Sequence, residues 1–218
     1  MASISVADQV SPPRNLKWQL VDAGERIASV CLMAALCPVV VGSALAIRLL
    51  SGRSPWIAHR RVGWRGEALW MLKLRTMWSE DGPSARQGWV EYIEDDDGPQ
   101  QKQSGDPRVT NWFARFCRRH SIDELPQLWH VIRGEMALVG PRPATGVEIR
   151  RYYGADAAEM LQVKPGIAGL WQISGRNRLT YEQRRELDLE FVRRRSLRMY
   201  LRIVLRTISE VWKGANSW

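Results

Sequence analysis

The hydrophobic and polar positions divide this chain into one long apolar segment and a mostly polar remainder. Residues Ile27–Ile47 carry no charge, and the run has about the 20 residues that a helix needs to cross a hydrocarbon core. It begins too far into the chain, is too long and lacks a small-x-small cleavage site, so it is not typical of a secretory signal. The pattern predicts that Leu16–Ile47 forms a helical unit that enters a membrane.

Two features of this segment favour a hairpin over a simple spanning helix. Pro38 lies at the centre, where it removes a helix hydrogen bond and breaks or kinks the axis. Both flanks are basic, with Arg26 before the run and Arg48 after it, and Lys and Arg collect on the cytoplasmic side of membrane proteins. A re-entrant helix kinked at Pro38 therefore competes with the spanning helix that hydropathy alone favours.

Shorter patterns predict the elements that follow. Residues 55–77 are expected to form a small β-hairpin around a Gly63/Gly66 turn, with an apolar second strand. Residues 91–107 are acidic and then rich in Gly, Pro and Gln, as in a surface loop. Further predictions are helices at 109–119, at 125–132 with an end at Gly134, and at 146–163, a stiff connector at 140–143, and a Gly-rich loop at 164–177.

Residues 180–212 predict a long basic helical region with a break near Ser196, in which apolar residues recur among arginines. This pattern fits an amphipathic helix on a soluble core, or an interfacial helix with its apolar face in the acyl boundary. We favour the interfacial helix because the N-terminal segment already anchors the chain. The predicted fold class is α+β and mainly helical, with a re-entrant membrane helix, a small β-hairpin and interfacial amphipathic helices.

Composition narrows the class of partner. The 32 Lys and Arg residues against 23 Asp and Glu give a net charge of +9, which indicates an anionic partner such as lipid headgroups, nucleotide phosphates or nucleic acid. Nucleic acid is not expected, because an uncharged segment with basic flanks already explains the charge through anionic lipid. The three cysteines form no CxxC pair, which argues against disulfides and a zinc site. The three histidines show no metal-ligand spacing, and surface or structural roles are expected for them.

The densest group of chemically useful residues precedes and includes an acidic pair. Asp123 and Glu124 are adjacent and lie within a few residues of Arg118, Arg119 and His120. Carboxylates beside cations suit phosphate chemistry, since a carboxylate can attack or hold a metal while arginines carry phosphate charge. Residues 121–124 also match a capping box with a serine N-cap. Both interpretations can hold, because a helix N-terminus keeps a carboxylate ionised.

The acidic pair belongs to motifs that resemble the bacterial sugar transferases, which are monotopic phosphoglycosyl transferases. The matching motifs are LKLRTM (72–77), GDPRVTNWFARF (105–116), SIDELPQLWHVIRGEMALVGPRP (121–143) and KPGIAGLWQISGRN (164–177). They occur in the family's order, and the resemblance runs from about residue 20 to about residue 210. The chain resembles the minimal catalytic form of the family.

The resemblance implies a reaction and a location. Such enzymes move a sugar-1-phosphate from a UDP-sugar to polyprenyl (undecaprenyl) phosphate with Mg²⁺, release UMP and start polysaccharide or glycoconjugate assembly. The implied organisation is a loose N-terminus at 1–15, a re-entrant membrane helix at 16–50, and a membrane-associated catalytic domain at 51–218. That domain is expected on the cytoplasmic face of the bacterial inner membrane, against anionic lipid. The sugar and a homodimer are left open.

The resemblance also implies roles for single residues. Asp123 is expected to be the nucleophile of a covalent aspartyl-phosphosugar intermediate and to contact Mg²⁺, with Glu124 as its partner carboxylate. His130 stands where the family usually has Asn, and Cys37 precedes Pro38 where Ser is frequent, but neither departure touches the pair. Basic residues expected to bind substrate phosphates are Lys73, Arg75, Arg118, Arg142 and Arg176.

A non-catalytic membrane scaffold or regulator of polysaccharide assembly is the alternative function. A degenerate transferase would be expected to lose part of its charged set. The chain keeps Asp123, Glu124, Lys73, Arg142 and Arg176, which argues for an enzyme.

Overall fold

The computed structural model describes residues 15–77, 89–94, 109, 111–175 and 178–213. Helices predominate in this part of the chain, beside a three-stranded and a two-stranded sheet. The α+β, mainly helical class is therefore confirmed. The predicted loose N-terminus lies outside the described residues except for Asn15.

The first helix, α1, runs from Leu16 to Ser51. The Asn15 side chain accepts a hydrogen bond from the Lys17 backbone N–H at 3.1 Å and caps its first turn. Gly52 ends it in the left-handed conformation, at φ 66°. The helix is continuous through Pro38, so the predicted break is not seen, while a kinked axis and a re-entrant course stay predictions.

One face of α1 is buried against the rest of the protein over most of its length. The buried residues extend from Glu25 and Ser29 to Val40, Ala44 and Ile47. The opposite face leaves large apolar side chains exposed. In the described part of the chain, α1 is the one helix that is long and apolar enough to cross a membrane.

The predicted β-hairpin is confirmed. Strand β1 (Trp56–Val62) pairs antiparallel with β2 (Ala68–Leu74), with Trp56 opposite Leu74. A third strand, β3 (Val90–Ile93), pairs parallel with β1, giving the order β2-β1-β3. The predicted loop at 91–107 missed this strand, because the pairing of β3 with β1 is non-local. Residues 95–107 of the predicted loop lie outside the described residues.

The acidic pair lies between two short helices. Helix α2 (Trp112–Arg119) is followed by a 3₁₀ helix (Ile122–Gln127) and by α3 (Leu128–Arg133). Gly134 ends α3 with φ +77°, and a Cβ at this glycine would collide with the guanidinium of Arg26 on α1. The predicted helices and the predicted end at Gly134 are confirmed, and the left-handed backbone at this position favours glycine.

The segment after α3 departs most from the sequence predictions. Strand β4 (Ala137–Val139) pairs parallel with β5 (Gly166–Ala168), and a side chain at Gly166 would collide with the backbone of Gly140. The predicted loop at 164–177 is wrong over β5 and over helix α6. Helix α6 (Leu170–Ser174) follows β5. The predicted helix at 146–163 is divided into short pieces: α4 (Gly146–Glu148), a π-helical turn (Ile149–Tyr153), a 3₁₀ turn (Gly154–Asp156) and α5 (Ala157–Met160).

Two helices complete the fold and confirm the predicted break near Ser196. Helix α7 (Tyr181–Arg194) begins with a capping box between Thr180 and Gln183, and α8 (Leu197–Lys213) follows. Phe191 and Ile203 bury their side chains in a core with β4 and β5. A stripe of exposed apolar residues follows one side of α8: Leu197, Leu201, Leu205, Ile208 and Trp212.

Candidate active site

Asp123 and Glu124 lie in the 3₁₀ helix between α2 and α3. Asp123 is buried, at 7% exposure. Ser121 adopts a left-handed conformation, with φ 53°, and makes no capping hydrogen bond. The predicted capping box is therefore wrong, because an N-cap needs an extended backbone that Ser121 does not have.

Lys73 of β2 reaches the acidic pair. Its Nζ donates a hydrogen bond to Glu124 Oε1 at 3.1 Å, and both side chains are largely buried. This contact joins the LKLRTM motif to the pair, although the two are distant in sequence. A charge-assisted hydrogen bond here offsets the repulsion between two adjacent carboxylates.

Arg118 is also brought to this region. It lies at the end of α2 and is buried, and its Nη1 donates to Thr76 Oγ1 at 3.3 Å. The residues just after β2 therefore meet the residues just before the acidic pair. The sequence-predicted set Asp123, Glu124, Lys73 and Arg118 gathers along one junction between β2 and the 3₁₀ helix.

Arg75 has a different environment from Lys73. Its side chain is buried, its Nε donates to the Ser54 carbonyl oxygen at 2.8 Å, and its guanidinium forms an ion pair with Glu91 of β3. These contacts tie β2 to β3 and to the turn after α1. The geometry favours a structural role for Arg75, and phosphate binding by this residue stays a prediction.

Helix α1 packs against the segment that carries the acidic pair. Ala44 and Ile47 of α1 pack with Leu74 and Ala114 in one buried cluster, against which Ile122 also packs. Because Asp123 follows Ile122 directly, the packing of α1 fixes the position of the 3₁₀ helix. The candidate site is therefore built on the one long apolar helix of the described chain.

Cys117 lies next to the site and was not singled out from the sequence. Burial and the nearby Asp123 carboxylate raise the pKa of the Cys117 thiol to about 11, while a hydrogen bond from the Ser43 side chain of α1 lowers it. The thiol is therefore neutral at physiological pH and adds no negative charge beside Asp123.

Arg142 belongs to a second cluster, centred on α4, α6 and α7. Its Nη1 lies 4.0 Å from Glu148 Oε1, and its guanidinium lies 5.7 Å from the ring centre of Trp171. The guanidinium of Arg184 lies over the rings of Trp171 and Tyr181, at 4.9 Å and 5.1 Å. The aromatic rings attract and orient both guanidinium groups in this cluster.

A buried acid underlies this second cluster. Tyr153 Oη donates to Asp188 Oδ2 at 2.8 Å. Burial raises the pKa of Asp188 to about 7, and the hydrogen bond from Tyr153 and the charge of Arg142 act against the rise. Burial also raises the pKa of the Tyr153 hydroxyl. Sequence reasoning missed Glu148, Arg184 and Asp188, because the contacts that join them form only when separate helices pack together.

The sequence analysis named two further residues, Arg176 as a phosphate-binding residue and His130 as a surface or structural histidine. Arg176 lies outside the described residues. His130 is buried: its Nε2 accepts a hydrogen bond from the Leu72 backbone N–H at 3.1 Å, and its Nδ1 lies 2.6 Å from Glu135 Oε2. His130 therefore has the structural role that the sequence predicted.

The acidic pair offers oxygen ligands of the kind that Mg²⁺ prefers. No group of three or more His, Cys, Asp or Glu side chains able to hold a metal occurs in the described part of the chain. Mg²⁺ does not need such a cage, because it is commonly held by one or two carboxylates together with substrate phosphates and water. The adjacent carboxylates of Asp123 and Glu124 fit that mode of binding.

Together, the apolar helix, the acidic pair and the surrounding cations define a helix-rich protein with a membrane-type anchor and a site suited to phosphate chemistry. The family model described as bacterial sugar transferase matches residues 17–214. The chain belongs to this family.

Several curated relatives are similar over most of the chain. The UDP-galactose-lipid carrier transferase of Erwinia amylovora is 38% identical over 204 residues, which cover 88% of this chain and 40% of that protein. The exopolysaccharide production protein ExoY of Rhizobium meliloti is 37% identical over 88% of this chain and 84% of its own length. The UDP-glucose:undecaprenyl-phosphate glucose-1-phosphate transferase of Caulobacter vibrioides is 38% identical over 88% of this chain and 69% of its own.

Proposed function

We propose that this protein transfers a sugar-1-phosphate from a UDP-sugar to polyprenyl phosphate and releases UMP. The observation that carries the proposal is the buried Asp123 beside Glu124, whose charge Lys73 offsets at 3.1 Å. The names of the Erwinia and Caulobacter relatives support a UDP-sugar donor and a lipid-linked acceptor. The reaction starts polysaccharide or glycoconjugate assembly.

The first step is attack by Asp123. A carboxylate oxygen of Asp123 forms a bond to the β-phosphorus of the UDP-sugar, and the bond from that phosphorus to the bridging oxygen breaks. The electron pair leaves on UMP, and the sugar-phosphate remains as an acyl phosphate on Asp123. In the second step an oxygen of polyprenyl phosphate attacks the same phosphorus and Asp123 leaves as a carboxylate.

Charge compensation makes this attack feasible. A carboxylate approaching a diphosphate meets strong repulsion, which fixed cations reduce in a buried site. Lys73 lowers the net negative charge of the acidic pair, and Arg118 brings a second cation to the same junction. We assign phosphate binding to Lys73, Arg118, Arg142 and Arg176. Mg²⁺, held by Asp123, would supply further positive charge on the diphosphate.

The contacts of α1 support placing both ends of this helix on one side of the membrane. Near its start, Glu25 Oε1 accepts hydrogen bonds from the Leu138 backbone N–H at 2.9 Å and from Tyr200 Oη at 2.8 Å. Near its end, Ile47 packs on Leu74. A helix crossing the bilayer could not keep both contacts with one folded domain. We therefore propose a re-entrant course, with the catalytic domain on the cytoplasmic face.

The exposed apolar stripe of α8 supports an interfacial position for that helix. Leu201 and Leu205 are one turn apart and expose 57% and 68% of their surface. Apolar side chains in such a stripe are stable when they enter the acyl boundary of a lipid layer. We propose that α8 lies along the membrane surface that α1 enters.

The reaction is tested by UMP release from a panel of UDP-sugars, with purified protein, undecaprenyl phosphate and Mg²⁺. Asp123→Asn should abolish release, and Glu67→Gln, which changes an exposed carboxylate in the β1–β2 turn, should leave it within about twofold. Without acceptor, the wild type should retain label from a sugar-labelled donor. If the wild type released no UMP above the background of a reaction without protein, the non-catalytic scaffold would be the better function, and equal release above background by Asp123→Asn would exclude Asp123 as the nucleophile.

A further inference from the structure

One cavity of the described structure is lined by none of the residues to which the reaction above assigns a role. It has a volume of about 380 Å³ and lies between the start of α1, the β1–β2 turn, and the junction of α7 and α8. This volume is in the range of small-molecule sites, about 300–1,000 Å³. We call it the α1–α8 cavity.

An arginine without a carboxylate partner among the described residues lines the α1–α8 cavity. Arg195, at the junction of α7 and α8, is half-buried, and its guanidinium lies 4.6 Å from the ring centre of Trp18 on α1. No described carboxylate forms an ion pair with it. Burial lowers the pKa of Arg195, and no neighbouring charge in the described chain counters that effect. A half-buried cation of this kind favours an anion beside it.

The two carboxylates that line the cavity already form ion pairs or hydrogen bonds with groups other than Arg195. Asp22 forms ion pairs with Lys164 and Arg26. Glu25 accepts hydrogen bonds from two backbone N–H groups of β4 and from Tyr200. These groups therefore do not neutralise Arg195. The cavity wall also carries Arg65 on its exposed side, stacked at 4.4 Å on Trp64.

The surroundings of the cavity favour a lipid over a soluble anion. Leu16 and Leu20 on the first turns of α1 expose 68% and 65% of their surface, and Leu197 and Leu201 on the first turns of α8 are also exposed. The cavity is lined by these same two helix starts. Arginine over an indole ring between exposed leucines has the composition of a membrane interface, where a phosphate and its acyl chains are bound together.

We propose that the α1–α8 cavity binds the headgroup of an anionic phospholipid, with its phosphate on Arg195 and its acyl chains between the starts of α1 and α8. The proposal rests on the membrane placement given above and not on the transfer reaction. A bound lipid would hold α1 against α8 at the edge of the membrane. It would thereby fix the orientation of the catalytic domain on the bilayer.

The test uses full-length protein in detergent, titrated with dioleoyl phosphatidylglycerol and followed by native mass spectrometry. Detergent is chosen because a micelle lacks the surface potential that any basic residue would sense in a vesicle. Arg195→Gln should lower phosphatidylglycerol occupancy at least about tenfold. Arg194→Gln, the same change at an exposed neighbour, should stay within about twofold, and Arg195→Lys should bind better than Arg195→Gln.

Three controls distinguish a lipid site at Arg195 from unfolding, from a soluble-anion site and from binding at Asp123. Circular dichroism should show that each variant is folded at the titration temperature. Inorganic phosphate and UDP in millimolar amounts should not displace the lipid, and displacement by either would mean a soluble-anion site. Asp123→Asn should retain the lipid although it abolishes transfer, and lipid loss in that variant would place the lipid in the catalytic site. Equal occupancy in Arg195→Gln and Arg194→Gln would overturn the proposal.

Discussion

Lys73 Nζ donates a hydrogen bond to Glu124 Oε1 at 3.1 Å, with 19% and 23% of the two side chains exposed. The contact links the second strand of the hairpin to the acidic pair. Because both groups are largely withdrawn from water, each contributes to the charge compensation of the other. The activity of the site should therefore be sensitive to either member of this ion pair.

Loss of Lys73 should cost activity more than stability. Lys73→Met removes a cation that lies 3.1 Å from Glu124 Oε1, so stronger repulsion of the diphosphate should lower kcat/KM by about 100-fold or more. Glu124→Gln in the same protein removes the negative charge that Lys73 had offset. The double variant should therefore be less impaired than the product of the two single effects, by a coupling of about 1 kcal/mol or more. UMP-release kinetics measure all three variants.

The matched control for this cycle is Arg60→Met on the neighbouring strand β1. Arg60 forms an ion pair with Glu94 at 2.9 Å, but both side chains are 46% exposed. Exposed pairs contribute about 0–1 kcal/mol, so kcat/KM should stay within about twofold. Equal losses in Lys73→Met and Arg60→Met would contradict a role for Lys73 in the site.

The ends of α1 should be accessible from the same side of the membrane. Single cysteines replacing Lys17 and Arg60, in a protein whose native cysteines are changed to alanine, should both resist a membrane-impermeant maleimide in intact cells and react after lysis. The reason is that Glu25 and Ile47 of α1 contact one folded domain. Labelling of the Lys17 position in intact cells, with the Arg60 position protected, would establish a spanning helix.

The hydrogen bonds of Glu25 should stabilise the packing of α1 on β4 and α8. Tyr200→Phe removes the 2.8 Å bond from Tyr200 Oη to Glu25 Oε1 and should lower the free energy of unfolding by about 1–3 kcal/mol, as expected when a buried acceptor loses a hydrogen-bond partner. Thermal unfolding in detergent, followed by circular dichroism, measures the effect. Tyr92→Phe, at a tyrosine with 64% exposure, is the control and should unfold at nearly the wild-type temperature.

Stability should fall as pH rises through the range in which Asp188 ionises. Burial raises the pKa of Asp188 from an ordinary value of 3.8 to about 7 in the folded protein, so the folded state keeps a proton that the unfolded state loses. The contribution of this retained proton to the free energy of unfolding is full below about pH 4 and is lost as the pH rises to about 7. Asp188→Asn should flatten the dependence of the unfolding temperature on pH across this window.

Tyr153→Phe provides the companion variant for Asp188. The hydrogen bond from Tyr153 lowers the pKa of Asp188, so removing the hydroxyl should move the pH window upward without abolishing it. An unchanged window in Tyr153→Phe, or a wild-type slope in Asp188→Asn, would mean that another group titrates.

Much of the local structure was predictable because it depends on neighbouring residues. The uncharged run indicated α1, the Gly63/Gly66 turn indicated the hairpin, and Gly134 ends α3 as predicted. Each depends on periodicity, charge or backbone freedom within a few residues. Strand β5 was not predictable from local sequence, since Gly166, which favours a loop by itself, is required by the close approach of Gly140.

The sequence by itself determined the family, the long apolar helix and the identity of the acidic pair, because motifs and hydropathy are properties of contiguous residues. The tertiary structure decided which cations accompany which carboxylates. It brought Lys73 to Glu124, tied Arg75 to Glu91, and placed Arg142 with Arg184 over Trp171. Ion pairs between distant residues depend on strand register and helix packing, which local patterns do not specify.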